Sequence, residues 1–435
     1  MKVFTKALLW LVFLNAAYFC IVSTAPLLPE GRLAESLRNA TLQLNGVVYG
    51  LDHWADGVAM NIMGSMNPAA PVRSGMEMAY STSSATPNDD GASGPAYFYS
   101  SVKWLAELVS GKADARVEYS RYWWGVAAVM RPVLSVVGLG GVLRAFMLCT
   151  MLLFIWALTL LYRKIGAAAA VTFAASMALT DFPIPSLSLV SAPELILALA
   201  SVCAVLRMRR DPTLLTLLFL TVGSLDVFLV PLVSPMPTLL LPLTALVLER
   251  EREREREREN FCDWPDCKLI LLLCFAWAAG YILTWATKWV LTGVVLGDGS
   301  FERALSQVLY RAGARSDDSY SLIDRFSAIG DNVYYLFPYS LAACSAILGA
   351  AVLVQASRIC AALRVPHRRV GMFGWLALAF LFLIPYLWYF VTAQHASIHA
   401  WFAFRNQASS VWLFLLLPSL IRARGCADKD SGERL

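Results

Sequence analysis

The sequence predicts an all-α polytopic membrane protein of about ten transmembrane helices, with a large polar segment held outside after the first span. Three observations carry that prediction. First, 58% of the 435 residues are apolar, only 15% are charged, and the mean hydropathy is +0.58, whereas roughly a quarter of a soluble domain is charged. Second, the apolar residues fall in continuous runs long enough to cross roughly 30 Å of hydrocarbon, which takes about 20 helical residues. A membrane barrel would instead show alternating segments of about ten residues. Third, lysine and arginine recur in the connections that an inside amino terminus would leave on the inner face. The net charge of +5 is therefore read as insertion topology and not as a nucleic-acid surface.

The elements follow in order. Lys2 and Lys6 precede an apolar stretch from Ala7 to about Ala25, which fits a signal peptide or an uncleaved first helix; the many spans that follow favour the helix, over residues 1–25. Residues 26–144 are the outer loop, polar mainly over 26–131. Within it, Glu30–Leu51 and Ala96–Leu108 have helical apolar spacing and suit helices lying on the membrane surface. Ser81–Gly94 reads as a flexible loop, and Tyr119–Gly125 as an interfacial aromatic belt. Val126–Leu143, interrupted by Arg131, Pro132 and several glycines, is expected to be interfacial or re-entrant.

Residues 145–248 hold spans two to six: Ala145–Tyr162, Ile165–Leu179, Leu187–Leu206, Leu214–Val230 and about Val233–Leu248. Residues 249–268 are a cytoplasmic linker opening on a strict Glu/Arg alternation of six glutamates and five arginines. That alternation puts like charges at i,i+4 and opposite charges at i,i+3 on a helix, and reads as a solvated spacer. Residues 269–421 hold spans seven to ten: Leu269–Trp285, Val333–Val354, Met372–Tyr389 and about Val411–Ile421, with residues 288–332 as an outer loop. Residues 422–435 are an inner tail.

The predicted inner connections hold Arg163/Lys164, Arg207/Arg209/Arg210, the Glu/Arg run with Lys268, and Arg358–Arg369; the short outer ones at Asp181 and Pro231 hold no lysine or arginine. Both termini are thus expected in the cytoplasm of a multi-pass protein of the cell membrane. The nine cysteines form no disulfide framework, and Cys262 with Cys267 lacks the second pair of a zinc site. Asn39-Ala40-Thr41 is a glycosylation acceptor only in a secretory pathway.

Topology sorts the polar residues. Asp52 and Asp56, at i,i+4 on a helix, would present both carboxylates on one side. Such a pair could hold a hard divalent cation, or let one acid act as base while the other stays charged; the competing reading is two solvated loop acids. His395 and His399 share a helical face as well, and with Arg405 could donate to phosphate, or serve as polar caps between spans. Arg121 and Arg131 could meet phosphate oxygens bidentately, or anchor lipid headgroups. Asp181, Glu194 and Asp226 are the acids in or near the membrane, where charges are costly and mark function. Lys288, between Trp285 and Trp289, reads as an interfacial anchor. The sequence contains no glycine-rich phosphate loop, no HExxH and no GxSxG, and no cytoplasmic nucleotide-binding domain. Chemistry would therefore use a membrane-delivered substrate at the outer face.

The acid-bearing outer loop with LDHWADG at 51–57, set directly after the first span and followed by many spans, resembles the GT-C glycosyltransferases, which use a lipid-phosphate-linked sugar donor. The resemblance implies a GT-C-like fold with surface helices in the first outer loop. It implies Asp52 or Asp56 as the catalytic base, His53 and Asp181 among the substrate-binding residues, and Asp181 in support of the base or of a metal. Arg121, Arg131, His395, His399 and Arg405 would bind the polyprenyl phosphate, and the acceptor would be a glycan, lipid or protein. No cofactor is required, although a divalent cation would suit the acids. The chain departs from the family pattern in that three residues, one of them His53, separate the acids where many members have them adjacent. A transporter or flippase working through Asp226, Glu194 or Asp181 in broken helices is the alternative. A non-enzymatic assembly or sensor protein, in which every outer acid tolerates substitution, is the third.

Overall fold

A computed structural model gives the fold and describes residues 2–28, 31–45, 53–84, 95–181, 183–208, 211–257, 264–297, 299–315, 318–336, 354–355 and 372–422. The protein is all-α apart from two short hairpins, and multi-helical with several long apolar helices. Asp52, most of the predicted eighth span and Arg358–Arg369 lie outside the described residues.

Helix α1, Lys2–Thr24, is apolar around most of its circumference and ends at the 3-10 turn Ala25–Leu27, where Pro26 stops it. The following segment folds as helices α2 (Leu33–Asn45), α3 (His53–Ser65), α4 (Pro71–Glu77) and α5 (Pro95–Val109). Strands β1 (Tyr80–Thr82) and β2 (Ala115–Val117) pair antiparallel, Ser81 opposite Arg116. The expected flexible loop is thus a strand at its start, and residues 85–94 lie outside the described residues. The expected aromatic belt is interior packing: Tyr122, Trp123 and Trp124 are all buried.

Helix α6, Gly125–Lys164, covers both the expected interfacial stretch and the second span. The two parts are separate helical segments joined at Gly138, whose φ of 66° is a conformation that glycine adopts without a Cβ penalty. Pro132 lies inside the first segment and does not end it. Then come α7 (Ala167–Leu179), α8 (Ser191–Arg207), α9 (Pro212–Leu229), α10 (Met236–Glu257) and α11 (Trp264–Leu296). Helix α9 starts where Asp211 caps the Thr213 N–H and Pro212 takes the first position. Helix α10 carries the Glu/Arg run onward as helix. Glu249 and Glu251 are buried, and Lys164 Nζ donates to Glu249 Oε1 at 2.9 Å, so the start of the run packs against α6 instead of being a solvated spacer.

Helix α11 extends past the expected end at Trp285. Lys288 is therefore no interfacial anchor: it is fully buried, its Nζ donating to the Met76 carbonyl at 2.8 Å and lying 5.4 Å from the Trp123 ring centroid. Beyond it stand α12 (Ser300–Arg311), strands β3 (Ala314–Arg315) and β4 (Asp318–Ser319), and α13 (Leu322–Tyr334). Ser321 and Asp324 cap α13 reciprocally. Helix α14 (Met372–Val391) leads through the short helices α15 (Ala393–Ile398) and α16 (Ala400–Ala403) to α17 (Ala408–Arg422).

Among the described residues four helical stretches are long and apolar enough to cross a membrane: Val3–Leu27, Gly125–Lys164, Pro212–Leu229 and Cys267–Leu296. Ala167–Leu179 and Leu376–Val391 are shorter apolar helices. They expose many apolar side chains, Val12, Phe13, Leu148, Leu152, Phe275 and Ile282 among others, as membrane-associated helices do.

Helices α9 and α11 cross closely because of two glycines. A Cβ on Gly223 would lie 2.2 Å from the Trp277 carbonyl oxygen, and one on Gly280 2.1 Å from that of Leu220. Small residues at such crossings let backbones approach where lipid offers no hydrophobic drive. A polar ladder joins α1 to the pair: Tyr18 Oη to Ser224 Oγ at 3.2 Å, and Ser224 Oγ to Thr284 Oγ1 at 2.7 Å.

Candidate functional site

The residues singled out in the sequence gather mostly at one end of the bundle, opposite the Lys164–Glu249 pair. The start of α8, the turn between α9 and α10, and the segment from Thr392 to Gln407 meet α3 there.

Asp56 is fully buried on the first turn of α3. Its Oδ1 accepts from Ser188 Oγ at 2.8 Å and from the Val190 N–H at 2.9 Å, and Oδ2 meets His53 Nδ1 at 3.1 Å. Ser188 Oγ also accepts from the Ser191 N–H at 3.0 Å. The carboxylate therefore sits on the amino end of α8, where the helix dipole favours negative charge, and it orients His53. Trp54, the next residue, tilts against the His399 ring with centroids 6.5 Å apart.

His395 and His399 lie one turn apart, ring centroids 4.8 Å from each other. Arg311, at the end of α12, donates to Gln394 Oε1 at 3.2 Å and lies 3.4 Å from His399 Nε2. Burial, and then the Arg311 charge, push His395 down to about 3. Burial, the neighbouring His395 and Arg311 hold His399 well below the ordinary histidine value. Both imidazoles are neutral at pH 7, each offering one N–H. Neither ring nitrogen of His395 has a hydrogen-bond partner among the described residues; nor has Gln394 Nε2, Arg311 Nε or Arg121 Nε. The backbone of Leu232, which favours charge on His395, has a φ of 39°, a strained conformation for a branched residue and one often stored at functional sites.

An apolar groove of about 290 Å³ runs beside this cluster. Tyr122, Tyr281, Trp285, Trp289 and Trp388 line it, and Arg121 and Arg311 stand at its polar margin. The Arg121 guanidinium stacks 4.1 Å over the Tyr119 ring, while its carbonyl accepts from the indoles of Trp285 and Trp289 at 2.8 and 3.0 Å. Among the described residues neither arginine meets a carboxylate at ion-pair distance.

Arg405 and Asp181 form an ion pair at 3.6 Å. Arg405 lines a small, mainly apolar cavity of about 30 Å³ into which Glu194, Ser191 and Ser234 also face. Arg131 is not brought to the cluster. It is buried about two helical turns along α3 from Asp56, donating to the carbonyls of Ala25 (2.6 Å), Leu28 (2.7 Å) and Met63 (3.2 Å). Those bonds tie α6 to the end of α1 and to α3, and occupy the guanidinium that was expected to face phosphate. The other predicted catalytic acid, Asp52, lies outside the described residues.

Sequence reasoning missed Arg311, Gln394, Tyr281 and Trp388, and read Tyr122, Trp285 and Trp289 only as interfacial aromatics. The available signal was α12 itself, an amphipathic SFERALSQVLYR segment with arginine in its last turn. Among the described residues no group of three or more His, Cys, Asp or Glu side chains is arranged to hold a metal ion. No protein-family model, no curated protein and no solved structure matches the chain.

Proposed function

We propose that the protein is a membrane glycosyltransferase that moves a sugar from a polyprenyl-phosphate donor to a cell-envelope glycan, lipid or protein acceptor at the outer face. The observation that carries this reading is the donor-rich margin of the aromatic groove: Arg121 and Arg311 line it, each with an Nε–H that has no acceptor among the described residues, and Gln394, which accepts from Arg311, has an Nε2 without one as well. Buried donors are normally satisfied, and an oxyanion carrying an apolar chain would satisfy these while filling the groove. In this reading the phosphate rests against Arg121 and Arg311, and the first isoprene units lie along Trp285, Trp289 and Trp388. The chain crosses the membrane about ten times in a GT-C-like arrangement, with both termini cytoplasmic by its lysine and arginine distribution.

The chemistry assigned to the site is an inverting displacement. The acceptor hydroxyl attacks the anomeric carbon, its proton passes to a base, and the carbon–oxygen bond to the phosphate breaks with its electron pair on the phosphate oxygen. Asp56, fully enclosed, acts through His53: a hydrogen on Nδ1 directed at Asp56 leaves the lone pair on Nε2 to accept the proton. Arg121 and Arg311 stabilise the charge that grows on the leaving phosphate. Asp181 and Arg405 brace the turn after α7 against the segment that bears the histidines.

The test is sugar transfer from a synthetic polyprenyl-phosphate sugar in membranes holding the Arg121→Ala or Arg311→Ala variant. The expected result is an apparent KM for the donor raised by about tenfold or more, the scale of one charge-assisted contact, with thermal stability retained. Wild-type kinetics in both variants would overturn the assignment.

One observation favours transport instead. Glu194 and Asp226 are both buried; Glu194 accepts from the Ser234 N–H and Oγ, each at 2.9 Å, and Asp226 from Thr238 Oγ1 at 3.1 Å. Acids at such depth serve proton-coupled carriers. The same assay separates the readings: a transferase cleaves the donor, whereas a flippase moves labelled donor across a liposome membrane intact.

A further inference from the structure

We propose that the α12–β3–β4–α13 unit is an interfacial hairpin whose apolar side is embedded in the headgroup–acyl boundary of the leaflet on the side of the His395 cluster. The proposal rests on the membrane reading of the long helices and is independent of sugar transfer.

Neither α12 nor α13 is among the helices long and apolar enough to span, yet both expose large apolar side chains. On α12 these are Phe301, Leu305 and Leu309, spaced four apart and each nearly half exposed (46%, 46% and 45%). On α13 they are Leu322, Ile323 and Phe326, at 67%, 80% and 63%. A water-facing helix would bury such a stripe against a neighbour. The other side of α12 is polar, with Glu302, Ser306 and Arg303, the last paired to Glu118 at 3.1 Å. An amphipathic helix with a full apolar stripe and a charged back lies in the plane of an interface.

Lipid is the occupant because the stripe continues surfaces that lipid already covers. Val290 and Val294 near the end of α11, and Leu387 and Val391 near the end of α14, are 51–79% exposed on apolar helices. Trp289 meets Phe301 at a ring separation of 6.3 Å, and Phe326 meets Phe390 at 5.6 Å. Arg325 donates to the Phe390 carbonyl at 2.8 Å and to the Gly313 carbonyl at 3.1 Å, locking α13 to the end of α14 and to the residue that precedes β3. Ring contacts thus join the apolar surface of α11 to α12 and that of α14 to α13. Since Ala304, Val308 and Arg311 of α12 also wall the aromatic groove, an embedded α12 brings that groove up to the level of the lipid and gives an amphipathic ligand a route in from the bilayer.

The experiment places a photoreactive benzoyl-phenylalanine at position 323, or at position 302, of the full chain in its own membrane, followed by irradiation and mass spectrometry. Lipid adducts at 323 that greatly outnumber those at 302 are expected. Adducts to another protein or to a second copy of the chain, equal lipid labelling at both positions, or labelling of neither would overturn the proposal. Position 326 is the second site should replacement of Ile323 lower the yield of folded protein.

Discussion

Replacing Asp56 with asparagine separates its bracing of α8 from its orientation of His53. The amide keeps the shape of the carboxylate, so its oxygen can still accept from Ser188 Oγ and the Val190 N–H, now 2.8 and 2.9 Å from Oδ1. Bonds to a charged acceptor are worth about 1.5–3 kcal/mol and neutral ones about 1 kcal/mol. Relief of the buried charge offsets part of that difference. The net cost is about 1–2 kcal/mol, a fall of a few degrees in Tm. The amide NH₂ then faces His53 Nδ1, which stands 3.1 Å from Oδ2 in the native site. Two donors cannot pair, so the imidazole must shift its hydrogen to Nε2 and lose the lone pair there. In a serine protease triad, inverting the tautomer in this way costs about 10⁴-fold in rate; the expected loss of transfer here is about 10³–10⁴-fold. Thermal unfolding in detergent and sugar transfer in membranes are measured on the same preparation. Wild-type transfer by folded Asp56→Asn protein would refute the base assignment. Asp56→Ala is expected to cost about 1–3 kcal/mol, because it removes the acceptor shared by Ser188 Oγ, the Val190 N–H and His53 Nδ1.

Gly280→Ala is expected to destabilise by about 1–3 kcal/mol or more, since its Cβ would lie 2.1 Å from a backbone oxygen that cannot rotate away. Gly293→Ala, on the same helix with nothing within 4 Å, is expected to be neutral or to stabilise by up to about 1 kcal/mol through helix propensity. Thermal scans of the two variants that gave the same sign would refute the close crossing. Stability is also expected to fall as pH drops below about 6.5, the ordinary histidine value that His395 regains on unfolding. The folded His395 is held down to about 3, so between those two values the unfolded chain binds the extra proton and stability rises with pH, by about 1.4 kcal/mol per unit for this residue. His399 is held low as well and adds in the same direction. A His395→Gln variant should flatten the profile of Tm against pH, and an unchanged slope would exclude the histidine as its source.

The apolar runs, the basic connections and the polar segment after the first span are one-dimensional properties, and the sequence determined them: an all-α chain with several helices fit for a membrane follows from run length and composition. The i,i+4 reading of His395 and His399 also rested on local spacing, and the structure sets those residues one turn apart. Residues whose role depends on long-range partners were not legible. Arg131 and Lys288 are charged side chains beside apolar sequence, and the sequence reads such residues as facing phosphate or water. Each is enclosed because backbone carbonyls distant in the chain, those of Ala25 and Met76 among them, turn toward it. Arg311 lies 83 residues from Gln394, and no periodicity announces that contact. The sequence thus set which segments are helical and apolar, since helix formation and membrane transfer act on neighbouring residues. Tertiary structure alone decided which polar groups meet, because an unsatisfied donor in a water-poor interior is costly and its partner is chosen by packing between helices far apart in the chain. The segment after the first helix, which the sequence reads as an outer acid-bearing loop, acquired its meaning only when α3 docked Asp56 on the start of α8.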